Sequence, residues 1–196
     1  MKIGVLALQG AVQDHERVLG RLGVETVQVR HPADLEGLQG LILPGGESSV
    51  MAMYLQEYGL DIAIRSMVTV GMPIFGVCAG AILLCREVEG PEGAVPGALA
   101  LLGARAIRNA YGRQLSSFEE PVDTEGGPFP GIYIRAPRFM PIGSTEVLGR
   151  RPASAGGGPV LLRQAAILAA SFHPELSGND GIHRLFLEAC RSWSNP

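Results

Sequence analysis

The sequence lacks a long hydrophobic run, and this absence excludes a transmembrane helix. No apolar stretch in its 196 residues approaches the length of about 18 residues that crossing a bilayer requires. The first ten residues, M-K-I-G-V-L-A-L-Q-G, contain too short an apolar stretch for a signal peptide and reach a glycine too early. They are typical of a buried first strand instead. We therefore expect a cytoplasmic protein with no membrane partner.

Cysteine is scarce, and the pattern of the few that are present excludes two further classes. Cys78, Cys85 and Cys190 are odd in number, widely spaced and form no C-x-x-C pair. The sequence therefore predicts neither a disulfide framework nor a zinc knuckle, and we expect no bound metal. In a reduced compartment a free thiol can remain reactive.

A large excess of charge is also missing. The formal net charge of −3 gives no global attraction to nucleic acid or to an anionic membrane, so we expect neither as a partner. Hydrophobic residues make up 46% of the chain and charged residues 18%, which is typical of a compact α/β protein rather than a disordered one. At this length one well-filled core is the default, so we expect a single domain over 1–196.

Strand and helix patterns alternate through the first half of the chain. Short apolar runs predict strands at 2–8, 24–30, 40–43 and 73–77, and helical spacing predicts helices at 11–22, from the turn after 46 to about 58, at 60–70 and at 79–87. This alternation predicts parallel βαβ units with helices on both faces of the sheet.

The second half has a different pattern. Residues 90–97 are rich in glycine and proline and are typical of a surface loop. Turn signals then separate short strands near 104–108, 131–135, 145–149, 160–163 and 166–172, before an amphipathic helix at 181–193. We expect these strands to be antiparallel additions to the sheet.

Glycines flank one cysteine at the predicted end of a strand. The segment Gly76-Val77-Cys78-Ala79-Gly80 fits the pattern of a nucleophile held on a sharp strand-to-helix turn. Such a turn strains the nucleophile's backbone and needs neighbours without side chains, and it places the sulfur near a helix N-terminus. Taken alone, this segment fits a structural cysteine at a tight turn equally well.

A histidine and a carboxylate follow a predicted strand 95 residues downstream. In S-F-H-P-E, His173 and Glu175 supply a base and a group that orients it. A thiol, a histidine and a supporting carboxylate are the minimum for nucleophilic thiol catalysis. In isolation the segment is equally typical of a surface loop, so its value depends on the pairing with Cys78.

A glycine pair follows the third predicted strand, in L-P-G-G-E-S-S at 43–49. It lacks the lysine and hydroxyl residue that end a phosphate loop, which excludes nucleotide binding of that type. We expect an oxyanion hole formed by the backbone N–H groups of Gly46 and Ala79. The alternative is a plain helix N-terminus that Glu47 and Ser48 cap.

Together these three elements resemble the class I glutamine amidotransferases, and further segments resemble the glutaminase subunits of pyridoxal 5′-phosphate synthases. The segments that carry this resemblance are I-G-V-L-A-L-Q-G-A-V-x-x-H at 3–15, L-P-G-G-E-S-S at 43–49, F-G-V-C-A-G at 75–80, R-N-A-Y-G-R-Q at 108–114, S-F-E at 117–119, Y-I-R-A-P at 133–137 and S-F-H-P-E-L at 171–176. The resemblance implies a three-layer, flavodoxin-like α/β fold, with a mostly parallel central sheet and appended antiparallel strands.

The resemblance also implies an activity and the residues that perform it. The family hydrolyses L-glutamine and passes the ammonia to a synthase subunit within a large hetero-oligomer, without a cofactor of its own. Cys78 would be the nucleophile, His173 the general base and acid, and Glu175 the group that orients His173. The residues implied to contact glutamine are Gly46, Glu47, Ser48, Arg108, Ile134 and Arg135. An arginine suits the substrate carboxylate and a carboxylate suits its ammonium group.

The resemblance places Gln9, Gly10 and His15 at the interface with the synthase subunit. His15 could instead be only an exposed helix residue, and we assign His31 and His183 to that class. We expect Cys85 and Cys190 to be structural.

Three other functions share part of the pattern. A glutaminase domain that serves another synthase differs only in the flanking segments at 3–15, 108–119 and 133–137. A thiol peptidase or hydrolase of similar architecture would need neither H-P-E nor P-G-G-E-S. A non-enzymatic binding subunit would not need Cys78, His173 and Glu175 together.

Overall fold

A computed structural model describes residues 1–90, 95–110 and 117–193 of the chain. The strands are β1 (Lys2–Leu6), β2 (Glu25–Val29), β3 (Leu41–Leu43), β4 (Ile74–Val77), β5 (Cys85–Glu89), β6 (Leu102–Ile107), β7 (Phe118–Thr124), β8 (Gly127–Tyr133), β9 (Arg138–Pro141), β10 (Glu146–Arg150), β11 (Pro159–Gln164) and β12 (Ile167–Ala170). The helices are α1 (Val12–Arg21), α2 (Ser48–Glu57), α3 (Leu60–Thr69), α4 (Ala79–Leu84) and α5 (Gly181–Ser192).

Nine strands form one sheet in the order β2-β1-β3-β4-β12-β11-β10-β7-β8. The pairs from β2 to β12 are parallel, and the pairs from β12 to β8 are antiparallel. Strands β3, β4 and β12 are buried at every position, as apolar strands covered on both faces must be. This confirms a largely parallel central sheet that is extended by antiparallel strands.

Helices cover both faces of this sheet, so the molecule has three layers, with the sheet between two layers of helices. The apolar side chains of α2, α3 and α4 pack in one buried cluster, and those of α1 and α5 pack in a second cluster on the opposite face. Strands β5, β6 and β9 form a separate small sheet whose buried residues join the first cluster. The predicted three-layer α/β fold is therefore confirmed.

Several predicted elements need correction. The helix expected at 79–87 ends at Leu84, because Cys85 adopts an extended backbone conformation and begins β5, which pairs in parallel with β6. Strand β6 consequently lies in the small sheet rather than in the antiparallel extension. Strand β12 was also expected in the extension, but on one side it pairs in parallel with β4.

Besides β5, two more strands have no counterpart among the sequence predictions. Strand β7 is charged and contains Pro121, and β9 is only four residues long, so neither carries a clear apolar alternation. The predicted loop at 90–97 falls partly outside the described residues. Among the described helices, none has the length and apolar character that spanning a membrane demands.

Candidate active site

Cys78 occupies the junction between β4 and α4 in a backbone conformation of positive φ, with φ 49° and ψ −103°. A non-glycine residue rarely adopts a positive φ, and such strain is typical of a nucleophile on a tight turn. A Cβ atom at Gly80 would overlap the carbonyl oxygen of Leu43, and one at Gly76 would lie 2.8 Å from the backbone nitrogen of Ala81. Glycine is therefore required on both sides for α4 to fold back against the sheet.

The sulfur of Cys78 is nearly buried and faces the end of β8. The side chain is part of the core cluster, and its residue is 7% exposed. The thiol donates to the carbonyl oxygen of Ile134, with Sγ and O 3.7 Å apart. This contact fixes the direction of the side chain beside Arg135.

Pairing between β4 and β12 brings the predicted base to the nucleophile. The backbone N–H of Cys78 donates to the carbonyl oxygen of Ala170 at 2.8 Å, which continues the parallel ladder between the two strands. His173 follows three residues later and donates its own backbone N–H to Ile132 at 2.8 Å. The carboxyl ends of two neighbouring parallel strands therefore place both side chains at one edge of the sheet.

Glu175 lies in the short 3-10 turn Pro174–Leu176 and orients His173. His173 Nδ1 and Glu175 Oε1 are 2.7 Å apart, and both residues are buried. The other ring nitrogen, Nε2, is buried and makes no hydrogen bond of normal geometry with a described residue, so its interaction with Cys78 acts at longer range. This is the order of groups that a thiol nucleophile, a base and an orienting carboxylate require.

The neighbours of His173 favour its charged form. Burial alone would lower the pKa of His173, but the interaction with Cys78 and the hydrogen bond with Glu175 outweigh that desolvation and raise the pKa to about 10. Burial alone would raise the pKa of Glu175, but the hydrogen bond with His173 and the proximity of His15 lower it. An imidazolium held beside the sulfur stabilises negative charge there.

The glycine turn after β3 packs against the segment that precedes α1. The backbone N–H of Ala11 donates to Gly45 at 3.0 Å, and the backbone N–H of Glu47 donates to Gln9 Oε1 at 2.7 Å. Gly10 has a φ of +104° and lies so close to Gly45 that a Cβ atom would overlap its carbonyl oxygen. The predicted interface segment and the predicted oxyanion turn are therefore in direct contact.

A cavity of about 340 Å³ opens over these groups. Its lining residues are Gly10, Ala11, Gly45, Gly46, Glu47, Ser48, Cys78, Ala79, Ile82, Arg108, Asn109, Ile134, Arg135 and His173. Glu47 Oε1 is 3.2 Å from Arg108 and its Oε2 is 3.8 Å from Arg135. Both signs of charge are thus available in the cavity, whose wall also includes Cys78.

The structure brings together the residues that the sequence singled out for catalysis and substrate binding. All of them line the cavity except Glu175, which lies behind His173. Sequence reasoning missed Ala11, Gly45, Ile82 and Asn109. Asn109 follows Arg108 directly and has a φ of 52°, and this local conformation carries no sequence signal.

The histidine assignments need correction. His15 and His183 are completely buried and lie 3.0 Å apart, from Nδ1 to Nε2, so neither is an exposed helix residue and the ring of His15 is not available at a surface. The sequence does contain a signal for the burial of His183. Its helical spacing places it on the same face of α5 as Phe186, Leu187 and Cys190, which are buried. His31 is exposed, as expected.

The other two cysteines are buried in the core. Burial raises the pKa of Cys85 to about 12, and burial raises the pKa of Cys190 to the same level. Both thiols therefore stay protonated and unreactive at neutral pH, which agrees with the structural role expected for them. Within 1–90, 95–110 and 117–193, no group of three or more metal-binding side chains was found.

Comparison with known proteins gives consistent relatives over nearly the whole chain. Residues 5–192 match the SNO glutamine amidotransferase family. The pyridoxal 5′-phosphate synthase subunit PdxT of Thermus thermophilus is 50% identical over 190 residues, which are 95% of this chain and 96% of the relative. The protein of the same name from Koribacter versatilis is 47% identical over 195 residues, 98% of this chain and 97% of the relative.

Solved structures give the same relationship. A crystal structure of a glutamine amidotransferase superposes with a TM-score of 0.89 at 46% identity, covering 96% of this chain and 98% of that one. PurLQS from Thermotoga maritima superposes with a TM-score of 0.72 at 17% identity, covering 95% and 97% of the two chains. The second likeness concerns the fold alone.

Proposed function

The chain belongs to the SNO glutamine amidotransferase family, and from that premise we propose that it hydrolyses L-glutamine to L-glutamate and ammonia and supplies the ammonia to a pyridoxal 5′-phosphate synthase subunit. One observation carries the proposal. Cys78, His173 and Glu175 stand in order at the ends of two adjacent parallel strands, and the first two line a cavity that also holds Glu47 and two arginines.

The first half-reaction acylates Cys78. The thiolate attacks the side-chain amide carbon of glutamine, and a carbon–sulfur bond forms while the carbonyl oxygen becomes an oxyanion. The backbone N–H groups of Gly46 and Ala79, which both line the cavity, donate to that oxyanion. His173 protonates the amide nitrogen, and ammonia leaves from a glutamyl thioester.

The second half-reaction returns the enzyme to its starting state. His173, now neutral, takes a proton from water, and the resulting hydroxide attacks the thioester carbon. The carbon–sulfur bond breaks, and Cys78 leaves as a thiolate beside the imidazolium of His173. Glu175 keeps Nδ1 of His173 engaged at 2.7 Å in both steps, so Nε2 is the nitrogen that exchanges protons.

The charged end of the cavity recognises the amino acid part of the substrate. Arg108 and Arg135 pair with the α-carboxylate, and Glu47, which already lies beside both arginines, holds the α-ammonium group. Ser48 and Ile134 complete the walls. This arrangement points the side-chain amide toward Cys78.

Docking of the synthase subunit raises the activity in this proposal. The segment around Gln9 and Gly10 contacts the partner, and the hydrogen bonds from Ala11 to Gly45 and from Glu47 to Gln9 link that segment to the oxyanion turn. His15 lies buried behind this surface rather than on it. We place the protein in the cytoplasm, as one domain over 1–196 within a large hetero-oligomer.

Release of glutamate from L-glutamine tests the proposal directly. The wild type, Cys78→Ala and Cys190→Ala are assayed with and without the synthase subunit, and Cys190→Ala serves as the control for loss of a buried thiol remote from the cavity. We expect glutamate from the wild type and from Cys190→Ala, with more when the synthase is present, and none from Cys78→Ala. Absence of glutamate in every wild-type condition contradicts the glutaminase function, and a wild-type rate unaffected by the synthase contradicts the gating.

A further inference from the structure

Two buried histidines continue the line of groups behind the nucleophile. His173 contacts Glu175, Glu175 Oε2 is 3.7 Å from His15 Nε2, and His15 Nδ1 is 3.0 Å from His183 Nε2. His15 comes from α1 and His183 from α5, the two helices that cover one face of the sheet. The line therefore runs from the active site into the core between these helices.

The facing atoms of Glu175 and His15 are both buried polar atoms, and each is a candidate partner for the other in a polar interaction. Oxygen Oε1 of Glu175 is used by His173, and Oε2 is buried. Nitrogen Nε2 of His15 is also buried, and within the described part of the chain neither atom has a hydrogen bond of normal geometry. A buried carboxylate oxygen without a donor is costly, and at 3.7 Å the His15 nitrogen faces it closely enough to stabilise its charge.

One pattern of protons satisfies the line. An ionised carboxylate only accepts hydrogen bonds, so His15 must carry its proton on Nε2 to face Glu175. Nδ1 of a neutral His15 is then an acceptor, and the N–H that His183 carries on Nε2 donates a hydrogen bond to it. The contact between the histidines at 3.0 Å thereby fixes the tautomer of His15.

We propose that His15 and His183 are positioning residues of this active site: His183 holds the tautomer of His15, and the N–H of His15 holds Glu175 charged and in place against His173. This inference rests on the proposed function, because it assigns a role within the same catalytic line. It explains why α1 and α5 each bury a histidine where a core packs apolar side chains.

Both histidines stay neutral in this position. Burial lowers the pKa of His15, with opposing contributions from nearby charged groups, and burial lowers the pKa of His183 to about 3. The titratable or charged groups that face one or the other are Asp14, Arg21, His173, Glu175 and Asp180. A neutral pair leaves Glu175 with a single cationic partner, which is His173.

Paired substitutions separate positioning from packing. In His15→Gln the amide nitrogen reaches about as far as Nε2 and keeps a donor toward Glu175, whereas in His15→Asn the shorter side chain keeps only the contact with His183. The readout is the rate at which iodoacetamide alkylates Cys78 as a function of pH, measured on the whole protein by peptide mass spectrometry. Buried Cys85 and Cys190 act as internal controls in the same samples.

We expect the pH midpoint of Cys78 alkylation to change only in the variants that lose the N–H donor facing Glu175. Without that donor, Glu175 holds its charge less well, the imidazolium of His173 is less stable, and negative charge on the Cys78 sulfur is less well stabilised. We expect the alkylation midpoint to rise by roughly one pH unit in His15→Asn, about a tenfold loss of thiolate below the midpoint, and to stay near the wild type in His15→Gln. His183→Asn shifts it in the same direction, and His183→Gln does not.

A second background tests whether His15 acts through Glu175. In Glu175→Gln the further change His15→Asn should shift the midpoint no more, whereas independent, additive shifts overturn the proposal. Equal midpoints for the wild type and for folded His15→Asn also overturn it. If His15→Asn does not fold, the two His183 variants take its place, and equal midpoints for them and the wild type overturn the proposal likewise. Because alkylation needs no glutamine, a wild-type Cys78 that reacts no faster at neutral pH than a free thiol contradicts the proposed catalytic role instead.

Discussion

Glu47 carries two ion pairs at the wall of the cavity, and the two arginines differ in burial. The Arg108 side chain is 8% exposed and that of Arg135 is 40% exposed. Solvent weakens an exposed ion pair, so a substrate carboxylate gains more from Arg108 than from Arg135. We therefore expect Arg108 to be the main anchor for the carboxylate of the proposed substrate.

Replacing each arginine by lysine tests this ranking. Lysine keeps the charge but loses the planar, bidentate donor geometry. We expect Arg108→Lys to raise KM for glutamine about 10- to 100-fold with a smaller change in kcat, since a hydrogen bond to a charged group contributes about 1.5–3 kcal/mol. Arg135→Lys should have a weaker effect, measured by steady-state glutamate release.

Arg105→Lys is the matched control for these variants. Arg105 forms an exposed ion pair with Glu87 on the small sheet and does not line the cavity. We expect unchanged kinetics for this variant. A larger rise in KM for Arg135→Lys than for Arg108→Lys would reverse the assignment of the main anchor.

The sequence predicted the residues that line this site better than it predicted the buried residues that pack behind them. Cys78, His173 and Glu47 each lie in a short segment that matches the resembled family, although none of the three segments specified a role by itself. Contacts such as that between His15 and His183 join residues 168 positions apart, and no local pattern specifies them. The spacing of apolar residues along each helix was the one sequence signal that could have indicated the burial of these two side chains, and the prediction did not use it.

Among the elements, the junction from β4 to α4 depends most on the absence of a side chain. The backbone of Gly80 passes directly against Leu43 of β3, and its N–H donates to Pro44 at 3.2 Å. The helix that begins at Ala79 is therefore pressed onto the neighbouring strand. This contact holds the nucleophile turn in its strained conformation.

Gly80→Ala should be strongly destabilising. The added methyl group meets backbone atoms that cannot rotate away, so β3 and α4 must separate, and we expect a loss of about 2–3 kcal/mol in the free energy of unfolding. Urea denaturation followed by circular dichroism measures this loss.

Gly20→Ala is the control for this change. Gly20 lies within α1, and a Cβ atom there meets no described atom within 4 Å apart from its chain neighbours and the backbone of its own helix. We expect it to stabilise the protein by about 0.5–1 kcal/mol, because alanine has the higher helix propensity. Equal unfolding midpoints for the two variants would contradict the packing described for Gly80.

Element boundaries were predictable where periodicity is clear and failed where it is absent. The segment Ala79–Leu84 is buried on all sides, so its sequence has no polar face to mark where the helix ends. Strand β5 follows without a turn, and only its pairing with β6 defines it. Charged β7 is likewise a strand because β8 and β10 flank it.

For the molecule as a whole, the buried histidines predict a dependence of stability on pH. The pKa of His183 is about 3 in the folded protein, against an ordinary value of 6.5. Between these values the unfolded chain binds a proton that the folded protein excludes. Above pH 6.5 His183 is neutral in both states and does not reduce the free energy of unfolding. That free energy falls as the pH drops from 6.5 toward 3.

His183→Gln should reduce this dependence. For one proton the slope approaches about 1.4 kcal/mol per pH unit, and glutamine does not titrate. Urea unfolding of the wild type and the variant at several pH values between about 4 and 8 compares the two slopes. We expect the curve of the variant to be flatter below pH 6.5, and parallel curves would mean that His183 does not titrate on unfolding.

The position of β12 in the sheet has a consequence for synthesis on the ribosome. It is the last strand to be translated, yet it lies between β4 and β11, both of which emerge earlier. In a growing chain that has passed Cys78, the edge of β4 that pairs with β12 therefore stays unpaired until residues 167–170 are made, and the proposed base, His173, follows three residues later. A chain that ends before residue 173 consequently carries Cys78 without its proposed base, and we expect it to release no ammonia from glutamine.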